Sequence, residues 1–198
     1  MNEKFFDLKK EKQDRIINAA LAQFSQCGYK QASTDTIVAQ ACISKGLLFH
    51  YFISKEGLYD FLYGYSLKYM NMELSPESAP EGEGFFDTRR RIEEGRVNVM
   101  KNFPCMPLFL INAVNDTDQV AQNVIREASD SYESIMERFY AKASKDGLKL
   151  PADRLIYIID QTLNGLMEKH LRQETFRPGV YREEALSYLQ DIELVAGA

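Results

Sequence analysis

The stretch CISKGLLFHYFISKEGL, from Cys42 to Leu58, holds the side chains with the most chemistry to offer. Lys45 and Gly46 head a short apolar run, Phe49-His50-Tyr51-Phe52 close it, and Lys55-Glu56 follow. A core helix gains nothing from Gly46, and a helix facing only water gains nothing from so many aromatic rings. Lys45 offers a cation for a phosphate or a guanine edge, and a glycine beside it lets another backbone come close. Other chemistries find less to work with. The two histidines, His50 and His170, stand near no Cys or Ser in a nucleophile arrangement, and neither a Gly-rich phosphate loop nor HExxH spacing occurs. Cys27, Cys42 and Cys105 are not at metal-ligand spacing. No catalytic residue, metal ligand or cofactor is expected, and the cysteines read as reduced thiols.

Helices must position these residues. The chain of 198 residues, 45% hydrophobic and 27% charged, is long enough for a substantial core. It has no apolar run long enough to span a bilayer, and its charged N-terminus, MNEKFFDLKKEKQDR, lacks the apolar centre of a signal peptide. A cytoplasmic protein without membrane contact is expected. The net charge is −5, but the first 60 residues carry eight basic and seven acidic side chains, so the acidic excess lies beyond them. This asymmetry permits an N-terminal module that meets nucleic acid.

Ile16, Ile17, Ala20, Leu21 and Phe24 form one apolar helical face, and Gly28 is placed to end it. Ser33, Ser44 and Ser54 are suited to cap three further helices, of which the last, to about Leu74, is aromatic-rich. Ser75–Gly84 reads as a mobile loop. The next helix starts near Phe85. Its pairs Asp87/Arg91, Arg89/Glu93 and Arg90/Glu94 suggest a solvated face for the triple arginine. LFLINAV reads as a short buried helix, and Thr117 to about Lys145 as one long amphipathic helix. Two strong helices close the chain, about 151–175 and 180–195. Ile156 and Tyr157 lie off the first one's main stripe, so that helix must be covered on more than one side. No strand-like alternation appears; the fold is all-α.

A helix ending at Ala41, a brief turn at Cys42-Ile43 and a second helix capped by Ser44 make a helix-turn-helix pattern, whose second helix enters the DNA major groove by its N-terminal end. Leu48 and Phe52, four apart, can lock that helix onto its predecessors. Residues 16–58 resemble the N-terminal domain of the tetracycline-repressor (TetR) family of bacterial transcription regulators. The elements that match are IINAALAQFSQCGYKQAST, TIVAQACISKGLLFHYF and SKEGL.

The resemblance implies a helix-turn-helix DNA-binding domain over residues 1–53. A helical ligand-binding and dimerisation domain would follow over 54–198, with about nine helices in all. On matching positions, Thr34 would reach a phosphate near the start of the second helix. Lys45, Gly46 and Leu47 would present to base edges or the groove wall. His50 and Tyr51 would contact phosphate or sugar, and Lys55 would hold a phosphate at the head of the fourth helix. Against the family pattern, Cys42 replaces the usual turn glycine, Phe49 a common tyrosine and Val38 a frequent alanine, while Asp35 adds an anion near the DNA backbone. The expected partners are a palindromic double-stranded operator, a second copy of the chain and a small hydrophobic or amphipathic effector that releases a repressor from DNA. Tyrosines and methionines are more numerous than a core alone needs, and a ligand cavity uses both. Its expected lining is Tyr63, Met100, Phe103, Met106, Phe109, Tyr132, Met136 and Met167. The stretch LNGLMEKH falls where the family places its dimer helix, so Leu163, Gly165, Leu166 and His170, with Leu186 and Leu189 of the last helix, are expected at the interface. The same residues leave one alternative open: a small-molecule-binding or interaction protein of this fold without strong operator binding.

Overall fold

A computed structural model describes residues 3–197. Ten α-helices follow a 3-10 turn at Glu3–Asp7, and no β-strand occurs among the described residues. They are α1 (Lys10–Gln31), α2 (Thr34–Ala41), α3 (Lys45–Phe52), α4 (Lys55–Leu74), α5 (Phe85–Met100), α6 (Met106–Val114), α7 (Gln119–Glu127), α8 (Tyr132–Lys142), α9 (Ala152–Leu171) and α10 (Pro178–Ala196).

Two compact units result. The first runs to Tyr69 and also takes in Asn102–Tyr132; the second comprises Met70–Lys101 and the chain from Glu133 onward. In the first unit Ile16, Ile17, Ala20, Leu21 and Phe24 of α1 are buried, as are Ile37 and Ala41 of α2 and Leu48, Tyr51 and Phe52 of α3. Burying a Leu or Phe side chain stabilises by about 1.5–3 kcal/mol, which is what holds helices as short as α2 and α3. Ser33 Oγ accepts from Thr36 N–H at 3.4 Å and Ser44 Oγ from Leu47 N–H at 3.2 Å, so both predicted caps are made. Ser54 Oγ accepts from Gly57 N–H at 3.0 Å and caps α4.

The two junctions that flank α3 hold strained backbone. Cys42, the C-cap of α2, is left-handed at φ 53°, ψ 50°. Ile53, 77% exposed between α3 and α4, has φ 67° and ψ −50°. There Ser54 N–H donates to Phe52 C=O at 2.7 Å, a γ-turn that costs a β-branched residue about 1–3 kcal/mol. This turn brings the Phe52 carbonyl so close over α4 that a Cβ on Gly57 would collide with it. In α1 the helix kinks at Gly28, φ 66°.

Several sequence expectations change. The predicted helix from Thr117 to Lys145 is two, α7 and α8. Apolar residues keep helical spacing through Val124 and Tyr132, but the Asp130 carboxylate accepts from the Ser131 amide at 2.9 Å, and this Ser-Asp-Ser chemistry competes with the helix. The Ser75–Gly84 loop is tied down. Gly82 N–H donates to Lys142 C=O at 2.9 Å, Ser144 N–H to Glu83 C=O at 2.8 Å, and Lys142 Nζ to Glu77 C=O at 2.8 Å. On α5 only Arg89/Glu93 of the three expected i,i+4 pairs forms, at 3.6 Å. Arg91 pairs with Glu83, Arg90 with Asp87 and Glu193, and Glu94 with Arg182. Arg89, read as solvated, is wholly buried.

Relieving the left-handed strain at Cys42 outweighs the entropy that glycine loses on folding. Cys42→Gly is expected to raise the stability to urea unfolding by about 0.5–1 kcal/mol.

Candidate nucleic-acid interface

The predicted DNA-facing residues divide by burial. On α3, Lys45, Gly46 and His50 are exposed and Leu47 is half-buried, while Leu48, Tyr51 and Phe52 turn inward. A Cβ on Gly46 would meet no atom within 4 Å. The fold therefore gives no internal reason for a glycine in this helix, where alanine would be favoured by up to about 1 kcal/mol. Thr34, half-buried, opens α2.

Charges on this face are arranged loosely. Lys45 Nζ lies 2.8 Å from Asp35 Oδ1, and both side chains are exposed. Such a pair is worth about 0–1 kcal/mol, so a competing phosphate can draw Lys45 away. Asp35 is thus the anion singled out in the sequence, and it pairs with the lysine at the head of α3.

Two of the expected phosphate contacts have internal duties. The Tyr51 ring packs edge-on against Phe5 at 5.7 Å between centroids. Lys55 donates to the Lys30 carbonyl at 3.2 Å, at the end of α1, and its ammonium sits 4.7 Å from the Tyr29 ring centre. Burial pulls the Lys55 pKa below the ordinary lysine value, against the opposing pull of Asp118 and Asp116.

Sequence reading missed two supports of the interface. Phe5 is fully buried, with its ring 5.0 Å from Phe52 and 5.3 Å from Phe61. The signal was the Phe5-Phe6 pair in an otherwise charged segment. Gln13 fixes that segment, donating to Phe6 C=O at 3.1 Å and Leu8 C=O at 2.7 Å. The second support is Asp116, whose carboxylate accepts from Tyr29 N–H at 2.7 Å and Asp118 N–H at 2.9 Å. It ties the kinked end of α1 to the α6–α7 connection. No local pattern announces a contact 87 residues long.

The expected ligand residues lie in different units. Tyr63, Phe103, Met106, Phe109 and Tyr132 belong to the first, and Met100, Met136 and Met167 to the second. All are buried except Met136, which is half-buried. Phe109 packs against Tyr59 at 5.4 Å and Phe103 against Tyr69 at 5.1 Å, so both serve the aromatic core of the first unit.

The dimer expectation meets a different geometry. Leu163, Leu166, His170 and Leu189 are buried within their own unit, Leu186 is half-buried and Gly165 alone is exposed. His170 Nε2 lies 2.8 Å from Glu184 Oε2. The large apolar side chains left exposed on these helices are Tyr157 and Ile158 on α9, and Val180, Tyr188, Leu194 and Val195 on α10.

Comparison with known proteins places this geometry. The family model described as bacterial regulatory proteins, tetR family, matches residues 16–61. Those residues contain α2, α3 and both caps. This segment is thus similar to the bacterial regulatory proteins of the tetR family. The HTH-type transcriptional regulator UidR of Escherichia coli K12 is 50% identical over 44 residues, 22% of each chain. The match thus spans about a fifth of that curated relative. A TetR family transcriptional regulator from Chloroflexus aurantiacus superposes over 100% of this chain and 98% of its own, with TM-score 0.61 and 21% identity. FadR of Bacillus halodurans, a fatty acid degradation regulator, superposes over 89% of this chain and 96% of its own, with TM-score 0.53 and 15% identity. These likenesses show the fold of the chain and no more. Among the described residues no helix is long and apolar enough to cross a membrane.

Asp116 should be worth more than a surface carboxylate, because two backbone donors depend on it. Asp116→Ala is expected to destabilise the protein by about 1–3 kcal/mol in urea titration, with earlier amide exchange at Tyr29.

Proposed function

We propose that the protein is a DNA-binding transcriptional regulator, a homodimeric repressor released from a palindromic operator by a small hydrophobic or amphipathic molecule. The observation that carries this reading is Gly46. It stands exposed beside Lys45 at the head of α3, where nothing inside the protein asks for a glycine. Clearance for a groove wall is the use that remains. Thr34, Leu47 and His50 flank it on the same module, and Lys55 and Tyr51 reach DNA at the margin of their structural duties. Two such helices in a dimer would sit one DNA turn apart, about 34–36 Å.

The second copy would cover the exposed apolar ends of α9 and α10. These helices run antiparallel through a short connection, and Lys149 N–H donates to Ala196 C=O at 3.0 Å. Tyr157 and Ile158 therefore share one end of the hairpin with Leu194 and Val195. This is a more open surface than the buried Leu163–His170 stripe.

For effector response, α4 is the connecting element. It is one helix whose residues to Tyr69 belong to the first unit and from Met70 to the second. A ligand that binds the DNA-incompetent state better would shift α4 and spoil the half-site spacing. The fatty-acid link in the name of FadR is in keeping with an amphipathic effector. A regulator with this task works in the cytoplasm.

Binding to a palindrome selected from random duplexes tests the reading by fluorescence anisotropy. Lys45→Ala should weaken binding and lower the salt slope by about 1. Gly46→Ala should weaken binding while leaving thermal stability equal or higher. Wild-type affinity that ignores sequence, or that both variants match, would support the alternative of a binding protein without an operator. In sedimentation, Leu194→Asp should shift the chain from dimer to monomer; an unchanged wild-type dimer there would remove the α9–α10 interface.

A further inference from the structure

The second unit buries a guanidinium edge that its own residues do not hydrogen-bond. Arg89, Glu93 and Arg96 lie on one side of α5, at spacings of four and three, and are 0%, 1% and 2% exposed. Glu93 is the one carboxylate that is fully buried in this group. Its Oε1 accepts from the Tyr181 hydroxyl and its Oε2 from Arg96 Nη1 at 3.3 Å. Arg89 uses only Nη1 well: it lies 2.8 Å from Asp160 Oδ1 and donates to the Tyr140 hydroxyl at 3.1 Å. Its Nη2 stands 3.6 Å from Glu93, beyond hydrogen-bond reach, and Nε and Nη2 have no hydrogen-bond partner. Two guanidiniums thus face one buried carboxylate and a second, Asp160, that is one-third exposed to water. Asn164 lies one turn beyond Asp160 on the same side of α9, and its buried Oδ1 also has no partner.

A guanidinium presents Nε–H and Nη2–H as a parallel pair that matches the two oxygens of a carboxylate. Burying that pair without a partner is costly, and proteins rarely do so without a use for it. We propose that the Nε–Nη2 edge of Arg89 seats the carboxylate of a small monocarboxylic acid, with Asn164 Oδ1 accepting from a hydroxyl or N–H of the same molecule. With Asp160 drawn away to solvent, the buried trio Arg89, Glu93 and Arg96 carries one positive charge in excess, which a single negative charge matches and a phosphate dianion would overshoot. Asp160 competes for the same arginine from the solvent side and sets how readily the acid enters. The inference rests on the reading of this chain as an effector-binding regulator and names the chemical class of the effector.

The test observes Arg89 itself, on full-length protein carrying 15N at arginine Nε, with no DNA present. The peak lost in Arg89→Lys is Arg89; if that variant does not fold, the peak displaced by Asp160→Asn identifies it. Sodium acetate, a carboxylate that makes no demand on pocket shape, should move this peak along a saturable curve, and sodium chloride at equal ionic strength should not. Asp160→Asn should lower the acetate midpoint roughly fivefold by removing the competing carboxylate. A peak that acetate moves no more than chloride does, or a midpoint that Asp160→Asn leaves unchanged or raises, overturns the proposal. A null result here leaves operator binding standing, and a failure of operator binding leaves this titration readable.

Discussion

Helix α3 has eight residues, too few to hold together in water, and every functional statement about the N-terminal module depends on what compensates for that. The compensation is one-sided burial. Leu48, Tyr51 and Phe52 are in the core, and Phe5 closes over the last two from the N-terminal segment. With that side fixed, Lys45, Gly46 and His50 have only one direction to face. The same packing offsets the strained turns that bracket the helix, left-handed at Cys42 and a γ-turn of positive φ at Ile53. The exposed side of α3 is fixed in orientation yet open in its charges, since the Lys45–Asp35 pair is weak and solvated.

Much of this was legible in the sequence because it is local. Serine caps, apolar spacing and the helix-turn-helix signature act within a few residues, and Ser33, Ser44 and Ser54 cap where predicted. The family resemblance rested on the same segment, and the model match at residues 16–61 covers it. What the sequence did not show has a common cause too. Arg89 has a glutamate four residues on, which on a surface helix means a solvated pair; local spacing carries no information about depth. Leu163, Leu166 and His170 form a strong stripe, and a stripe shows that a face is covered without showing by what. Asp116 and Tyr29 meet across most of the first unit, and no spacing rule reaches that far.

The two units spend their charges differently. In the first, the paired Lys45 and Asp35 are exposed, as the proposed contact with DNA requires. In the second, Arg89, Glu93 and Arg96 are buried with hydroxyls of Tyr140 and Tyr181 around them, an arrangement that costs desolvation and gains from its mutual hydrogen bonds. Burial of the Tyr181 hydroxyl against Glu93 raises its pKa far above the ordinary tyrosine value, so it stays a donor throughout the physiological range. The joint between these chemistries is α4, continuous from the γ-turn at Ile53 to Leu74.

The central claim is that the Lys45–His50 side of α3 is the surface that meets DNA. Amide hydrogen exchange, measured residue by residue with and without a selected palindromic duplex, tests it most directly. The account predicts added protection at Ser33–Thr36 and Ser44–His50, at the heads of α2 and α3. Protection confined to other segments, with these two unchanged at saturating duplex, would contradict it.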